Sequence, residues 1–293
     1  MRNLVQAGFV FTAALVMASC SGDPGPGDGA DTLNKDTIDV TGVKVSGQSF
    51  MVPSPMQIAD LIKKSGAAYN KDILNPTANL SKYSDASKQA LNLGVYGADL
   101  GYITMYDNSG DAMEYYKTVV QLGDQLKITG SFDKGLMDRF NANIGKKDSI
   151  LTLVGEAYRR SDNFLRESEQ DHLAALILTG GWIESIYFSL NVYKQKPDPA
   201  VAIRIGEQKN TVAGLIKVLK GLDKPENAEL IRLLEELNAE YQKVEIKYTF
   251  AEPIHDDAKK TTTINGKTEV NITPELINSL TEKVNAVRNY IIN

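Results

Sequence analysis

Residues 84–107, SDASKQALNLGVYGADLGYITMYD, and residues 169–194, EQDHLAALILTGGWIESIYFSLNVYK, decide the fold. Each stretch is long enough for more than six turns at 3.6 residues per turn. Each is apolar on nearly every side, and a helix that is apolar all round must be buried all round. They are therefore read as the two central helices of a bundle, and everything else in the chain is read as what covers them.

The covering elements follow from helical periodicity and from caps. Ser54-Pro55 reads as an N-cap followed by proline at the first helical position, opening a helix over 54–68. Further helices are expected at 111–128, 133–144, 148–167, 198–219 and 225–248, each behind a polar cap or a proline. Leu276, Leu280, Val284, Val287 and Ile291 recur at helical spacing in a last helix over 274–292. Two short runs flank Asn265-Gly266, a pair suited to a type I′ turn, so a β-hairpin is expected at 260–272. Residues 38–52 alternate loosely and read as a strand or a strap. The expectation is an all-α domain over 38–293, a compact bundle of about nine helices with one small β-hairpin.

An internal duplication is expected within it. Ala90, Leu91, Leu93, Asp99 and Tyr102 align without a gap on Ala175, Leu176, Leu178, Glu184 and Tyr187. With two residues removed from the following loop, Ile150, Leu151, Val154 and Tyr158 fall on Leu233, Leu234, Leu237 and Tyr241. The repeats would be 84–168 and 169–251, with 133–144 an insertion in the first. Two copies suit a pseudo-symmetric bundle better than a solenoid.

The acids of the central helices are the first candidates for function. Asp99 shares a face with Val95, Tyr102 and Tyr106, and Glu184 with Ile177, Tyr187, Phe188 and Asn191. A buried carboxylate needs a charge partner or hydrogen bonds, or else takes up a proton. Arg139, Arg159, Arg160 and Arg204 are candidate partners, alongside tyrosine hydroxyls. The structural reading is an internal ion pair that fixes helix register; the functional reading is two acids facing one pocket. Asp99, Tyr102, Trp182, Glu184 and Tyr187 are the binding candidates. Gly94, Gly97, Gly101, Gly180 and Gly181 break the rule that glycine costs a helix about 1 kcal/mol against alanine. Their reading is close approach of another backbone, or a pocket beside Trp182.

Other chemistry is thinly represented. His172 and His255 are the only histidines, and no pair at i, i+4 exists, so neither a metal nor a cofactor is expected. Asp256-Asp257 lacks the ligand spacing of a calcium loop. No G-x-S-x-G elbow, P-loop or His-Glu-x-x-His occurs. The net charge of −5 disfavours nucleic acid, whose binding requires a surplus of Lys and Arg.

Arg2 is followed by an apolar run from Leu4 to Met17, then Ala18, Ser19 and Cys20, the only cysteine. This is the layout of a secretory signal peptide over 1–19, too short to remain as a membrane span, and no second such run occurs downstream. Val16-Met17-Ala18-Ser19-Cys20 resembles the bacterial lipobox. That resemblance implies cleavage before Cys20, multiple acylation there, and, with Ser21 rather than aspartate next, export to the outer membrane of a Gram-negative cell. Residues 20–37, rich in Gly, Pro and Asp, then form a flexible tether, and its aspartates are of the kind that can signal surface export. The mature domain resembles helical envelope lipoproteins in type rather than in motif. Two functions are expected from these features: a non-catalytic lipid-anchored protein binding an envelope protein, glycan or small solute, or a hydrolase or lyase in which Asp99 and Glu184 act as acid and base.

Overall fold

In the computed structural model, the two apolar stretches form helices that lie side by side. The structure describes residues 40–45, 48–53, 66–128, 134–143, 146–250, 254–256, 261–263 and 267–293. The leader and tether expected over 1–37, Cys20 among them, most of the helix expected at 54–68, Asp257 and Asn265-Gly266 lie outside the described residues.

Helix α1 (Ala86–Met105) starts where the Asp85 carboxylate accepts the Lys88 amide at 2.8 Å, and from Ala90 onward every residue is buried. Next come α2 (Ser109–Gln125), α3 (Lys134–Asn143), α4 (Lys147–Glu167) and the second central helix, α5 (Asp171–Gln195). They are followed by α6 (Pro199–Gly206), α7 (Lys209–Gly221), α8 (Ala228–Tyr241) and α9 (Pro274–Ile292). The fold is thus an all-α bundle with nine helices among the described residues, and these residues belong to one compact unit.

Gly94 and Gly180 explain how α1 and α5 come so close. A Cβ built on Gly94 would stand 2.0 Å from the Ile177 carbonyl oxygen, and one on Gly180 would stand 1.9 Å from that of Leu91. Further along, the Tyr102 and Phe188 rings stack at 4.7 Å. Because early meets early and late meets late, the two helices run in the same direction. By length and hydropathy α5 could cross a membrane, contrary to the sequence reading, but it lies buried at the centre of the bundle with Glu184 in its middle.

Helices α4 and α9 each pack against both central helices, α2 covers α1, and α8 lies between α7 and α9. The flanking positions beside the central pair therefore go to α4 and α9. The sequence alignment had matched α4 with α8 instead.

Helix ends account for several shifted boundaries. Asp107, Lys127, Glu169 and Asp223 all have φ between +48° and +58°, each two residues past the last helical residue of α1, α2, α4 and α7. After α2 the Ile128 amide reaches back to the Gly123 carbonyl and the Lys127 amide to that of Asp124, both at 3.0 Å, a Schellman closure without glycine. The helix expected over 198–219 is broken at Glu207-Gln208. There Gly206 gives room to a strand: a Cβ on it would stand 2.5 Å from Val270 Cγ1.

The helix expected over 225–248 stops at Tyr241. The Lys209 ammonium takes the carbonyls of Gln242 and Val244, at 3.1 and 2.8 Å, and the chain leaves as a strand. That strand, β3 (Glu245–Thr249), pairs antiparallel with β6 (Lys267–Asn271), and beyond it β4 (Ile254–Asp256) pairs with β5 (Thr261–Thr263). A hairpin near the C-terminus is therefore present, but with other strands paired than expected. Its two arms are joined between β4 and β5, so the strands flanking Asn265-Gly266 do not pair with each other. Ahead of the bundle, β1 (Val40–Val45) and β2 (Gln48–Pro53) form a second antiparallel hairpin, where one strand or strap was expected.

Candidate functional site

Asp99 on α1 and Glu184 on α5 meet across the seam between the central helices, both with 0% of their surface exposed. The partner that makes this tolerable comes from α9. Arg288 donates from Nε to Glu184 Oε2 at 2.6 Å and from Nη2 to Oε1 at 2.7 Å, a two-pronged grip suited to the planar guanidinium. Nη2 also reaches the Ile73 carbonyl at 3.0 Å, and the guanidinium lies 4.0 Å from the centre of the Tyr187 ring, whose face attracts a cation. Burial opposes the charge on Arg288, but the Glu184 carboxylate outweighs it and holds the guanidinium above its ordinary range.

Asp99 has no such cation in direct contact. Its Oδ2 accepts the Asn75 amide at 3.3 Å, while its Oδ1 meets no donor. Burial, with the Glu184 charge second, pushes its pKa well above the carboxylate range, and Arg288 and the Asn75 amide offset only part of this. Protonation, which these effects favour, turns one Asp99 oxygen into a donor beside Glu184. Burial thus favours a neutral Asp99 beside the paired Glu184 and Arg288.

Asn75 ties this group to a segment that crosses the central helix. Its Nδ2 donates to the Tyr83 hydroxyl at 3.0 Å and to Asn92 Oδ1 at 3.2 Å, and its Oδ1 accepts from Asn79 at 2.8 Å. Residues 67–83 form a strap containing two short 3₁₀ turns at Lys71–Ile73 and Thr77–Lys82, and besides side-chain bonds such as Tyr69 to Asp111 at 2.6 Å their main chain is held at several points. Tyr96 donates to the Pro76 carbonyl at 2.8 Å, Tyr115 to that of Asn75 at 3.0 Å and Tyr106 to that of Ala67 at 2.9 Å. The Tyr102 hydroxyl accepts the Asn70 amide at 3.0 Å. The hydroxyls of Tyr96, Tyr102, Tyr106 and Tyr115, the binding candidate Tyr102 among them, are thus spent on the protein's own backbone.

Four of the five binding candidates, Asp99, Tyr102, Glu184 and Tyr187, gather along this seam. Trp182 does not join them: it is buried against the α6–α7 joint, where Nε1 donates to Gln208 Oε1 at 3.1 Å. The arginines offered as partners are elsewhere. Arg139 and Arg160 pair with Glu156 and Arg204 pairs with Glu207, all near the surface, and Arg159 is exposed. Reaction at the acids would need a path for substrate, and neither carboxyl is exposed. Among the described residues no group of three His, Cys, Asp or Glu side chains is placed to hold a metal. His172 is half-buried, with its pKa lowered first by burial and then by Lys224.

Arg288 and Asn75 were the functional residues missed in the sequence. Arg288 did leave a signal, since it follows Val284 by four residues and precedes Ile291 by three, so a charge occupies the apolar register of α9. Asn75 lies between helices, where periodicity carries no information.

No family model matches the sequence, and neither the curated proteins nor the solved structures include a match to it.

Proposed function

We propose that this chain is a non-catalytic, lipid-anchored helical protein of the bacterial envelope, tethered to the outer membrane through Cys20 and binding an envelope protein, a glycan or a small solute. The observation that carries the anchoring is the leader ending in Ala18-Ser19-Cys20, with no other cysteine in the chain. Two or more acyl chains on that thiol would give stable attachment, at about 0.8 kcal/mol per buried methylene. What supports the non-catalytic reading is the enclosure of Asp99 and Glu184 with Arg288, which leaves no open acid–base pair. The test is metabolic labelling of the full chain with a clickable palmitate analogue in a Gram-negative host. The wild type should carry label in the outer-membrane fraction, and Cys20→Ser should carry none and leave that fraction or remain an uncleaved precursor. An unlabelled wild type rejects the anchor.

A further inference from the structure

The strap over 67–83 runs back along α1, from Tyr106 just past the end of that helix to Tyr96 at its middle, and it is held as a bound peptide is held. Its own backbone bonds, Leu74 to Lys71, Asn79 to Pro76 and Tyr83 to Leu80, close its turns and stay within it. Side chains of the bundle grip the rest of its main chain. Tyr106, Arg288, Tyr115 and Tyr96 donate to the carbonyls of Ala67, Ile73, Asn75 and Pro76 at 2.9, 3.0, 3.0 and 2.8 Å. Tyr102 and Asp99 accept the amides of Asn70 and Asn75 at 3.0 and 3.3 Å.

Bonds of this kind read a main chain, and pockets for side chains add the choice of sequence. Three consecutive strap residues, Ile73, Leu74 and Asn75, are buried, and Asn75 Nδ2 donates to Asn92 Oδ1 on α1 at 3.2 Å. Four residues before Ile73, the Tyr69 ring lies against those of Tyr102 and Tyr106, with centroids 5.6 and 5.5 Å apart. Between these points Asn70 is half-buried, and Lys71 and Asp72 are exposed. The surface beneath the strap therefore selects an aromatic residue, then after three free positions two apolar residues and an asparagine.

We propose that the surface beneath the strap is a peptide-binding groove, filled by the strap in the isolated chain, and that its partner is an extended segment of another protein carrying the same pattern. The proposal deepens the binding function given above and rests on that reading for the partner's place in the envelope. Covalent attachment gives the strap an effective concentration on the order of millimolar, so a partner enters by matching the groove better than the strap does.

A fluorescein-labelled peptide of residues 66–83, titrated with the full chain and followed by anisotropy, tests this, with Leu74→Ala as the change that loosens the strap. The peptide should bind the Leu74→Ala chain about tenfold or more tightly than the wild-type chain. The same substitution placed in the peptide should weaken binding to that chain by about tenfold or more, a reversal that general destabilisation does not produce. On the wild-type chain, millimolar unlabelled peptide should speed hydrogen exchange at the Asn70 and Asn75 amides and leave the Val95 and Ile103 amides unchanged. This arm decides the matter if Leu74→Ala does not fold. The proposal is overturned if the two peptides bind alike, if the loosened chain dimerises and takes up no peptide, or if added peptide leaves exchange in the strap unchanged. Palmitate labelling is read separately, so a labelled chain that ignores the peptide loses the groove and keeps the anchor.

Discussion

Arg288 and Glu184, 104 residues apart in sequence, are joined by two hydrogen bonds of 2.6 and 2.7 Å inside the core. The pair couples α9 to α5, and through the Ile73 carbonyl it couples both to the strap. Its chief effect is on alternatives: with a carboxylate at Glu184, packing α9 in any other register would leave one charge buried alone.

Removing either partner should therefore be severe. Glu184→Gln or Arg288→Met is expected to cost about 3–5 kcal/mol of unfolding free energy, as for other broken buried pairs. The double variant should recover most of that loss, because it leaves no lone charge. Urea denaturation of the three variants measures this, and single variants that lose under about 1 kcal/mol would show that the pair is solvated after all.

Asp99 gives stability a pH dependence of opposite sign to that of an ion-paired carboxylate. Its folded pKa is raised, so between the ordinary aspartate value near 3.9 and the folded value the native state holds a proton that the unfolded chain has released. Its contribution is complete below about pH 4 and declines as pH rises, by at most about 1.4 kcal/mol per pH unit. Asp99→Asn keeps the shape and a donor toward Glu184 without the titration. It should match the wild type near pH 4 and exceed it in melting temperature at pH 7, by a margin that grows with pH. A margin that shrinks with rising pH would mean Asp99 is ionised in the fold.

Glycines on the central helices should respond in opposite ways. Gly94→Ala and Gly180→Ala push a methyl group into a neighbouring backbone that cannot move aside as a side chain can, and each should cost about 1–3 kcal/mol or more. At Gly101 an added Cβ meets nothing described within 4 Å, so Gly101→Ala should gain about 1 kcal/mol from helix propensity alone. Thermal unfolding of the three single variants distinguishes the two outcomes.

Much of the bundle was legible because its signals are local. Asp198 marks a helix start with a cap that the structure bears out, the starts expected at Ser84 and Pro274 lie within two residues of those observed, capped by Asp85 and Thr273, and the all-round apolarity of α1 and α5 placed them in the core. The ends were harder. Four helices close on a left-handed Asp, Lys or Glu, residues that carry no stop signal of the kind glycine gives. Past Tyr241, Val244, Ile246, Tyr248 and Phe250 alternate with Glu245, Lys247 and Thr249, a strand pattern masked by the leucine stripe running into it. The acids were found from their periodicity, whereas their partner depended on a tertiary contact from the last helix. Local pattern predicts burial; it does not predict which distant charge answers it.

The strap over 67–83 is gripped by its amides and carbonyls, while the grip comes from side chains on the helices beneath. Tolerance to mutation is accordingly lopsided. A backbone group is supplied by almost any residue, so the strap can vary at its exposed positions while keeping its course, though not at buried Ile73, Leu74, Asn75 and Tyr83. Tyr96, Tyr102, Tyr106 and Tyr115 have less freedom, because each hydroxyl bonds one particular peptide unit of the strap. Phenylalanine at any one of the four is therefore expected to cost about 1 kcal/mol or more, where a change at an exposed strap position costs little.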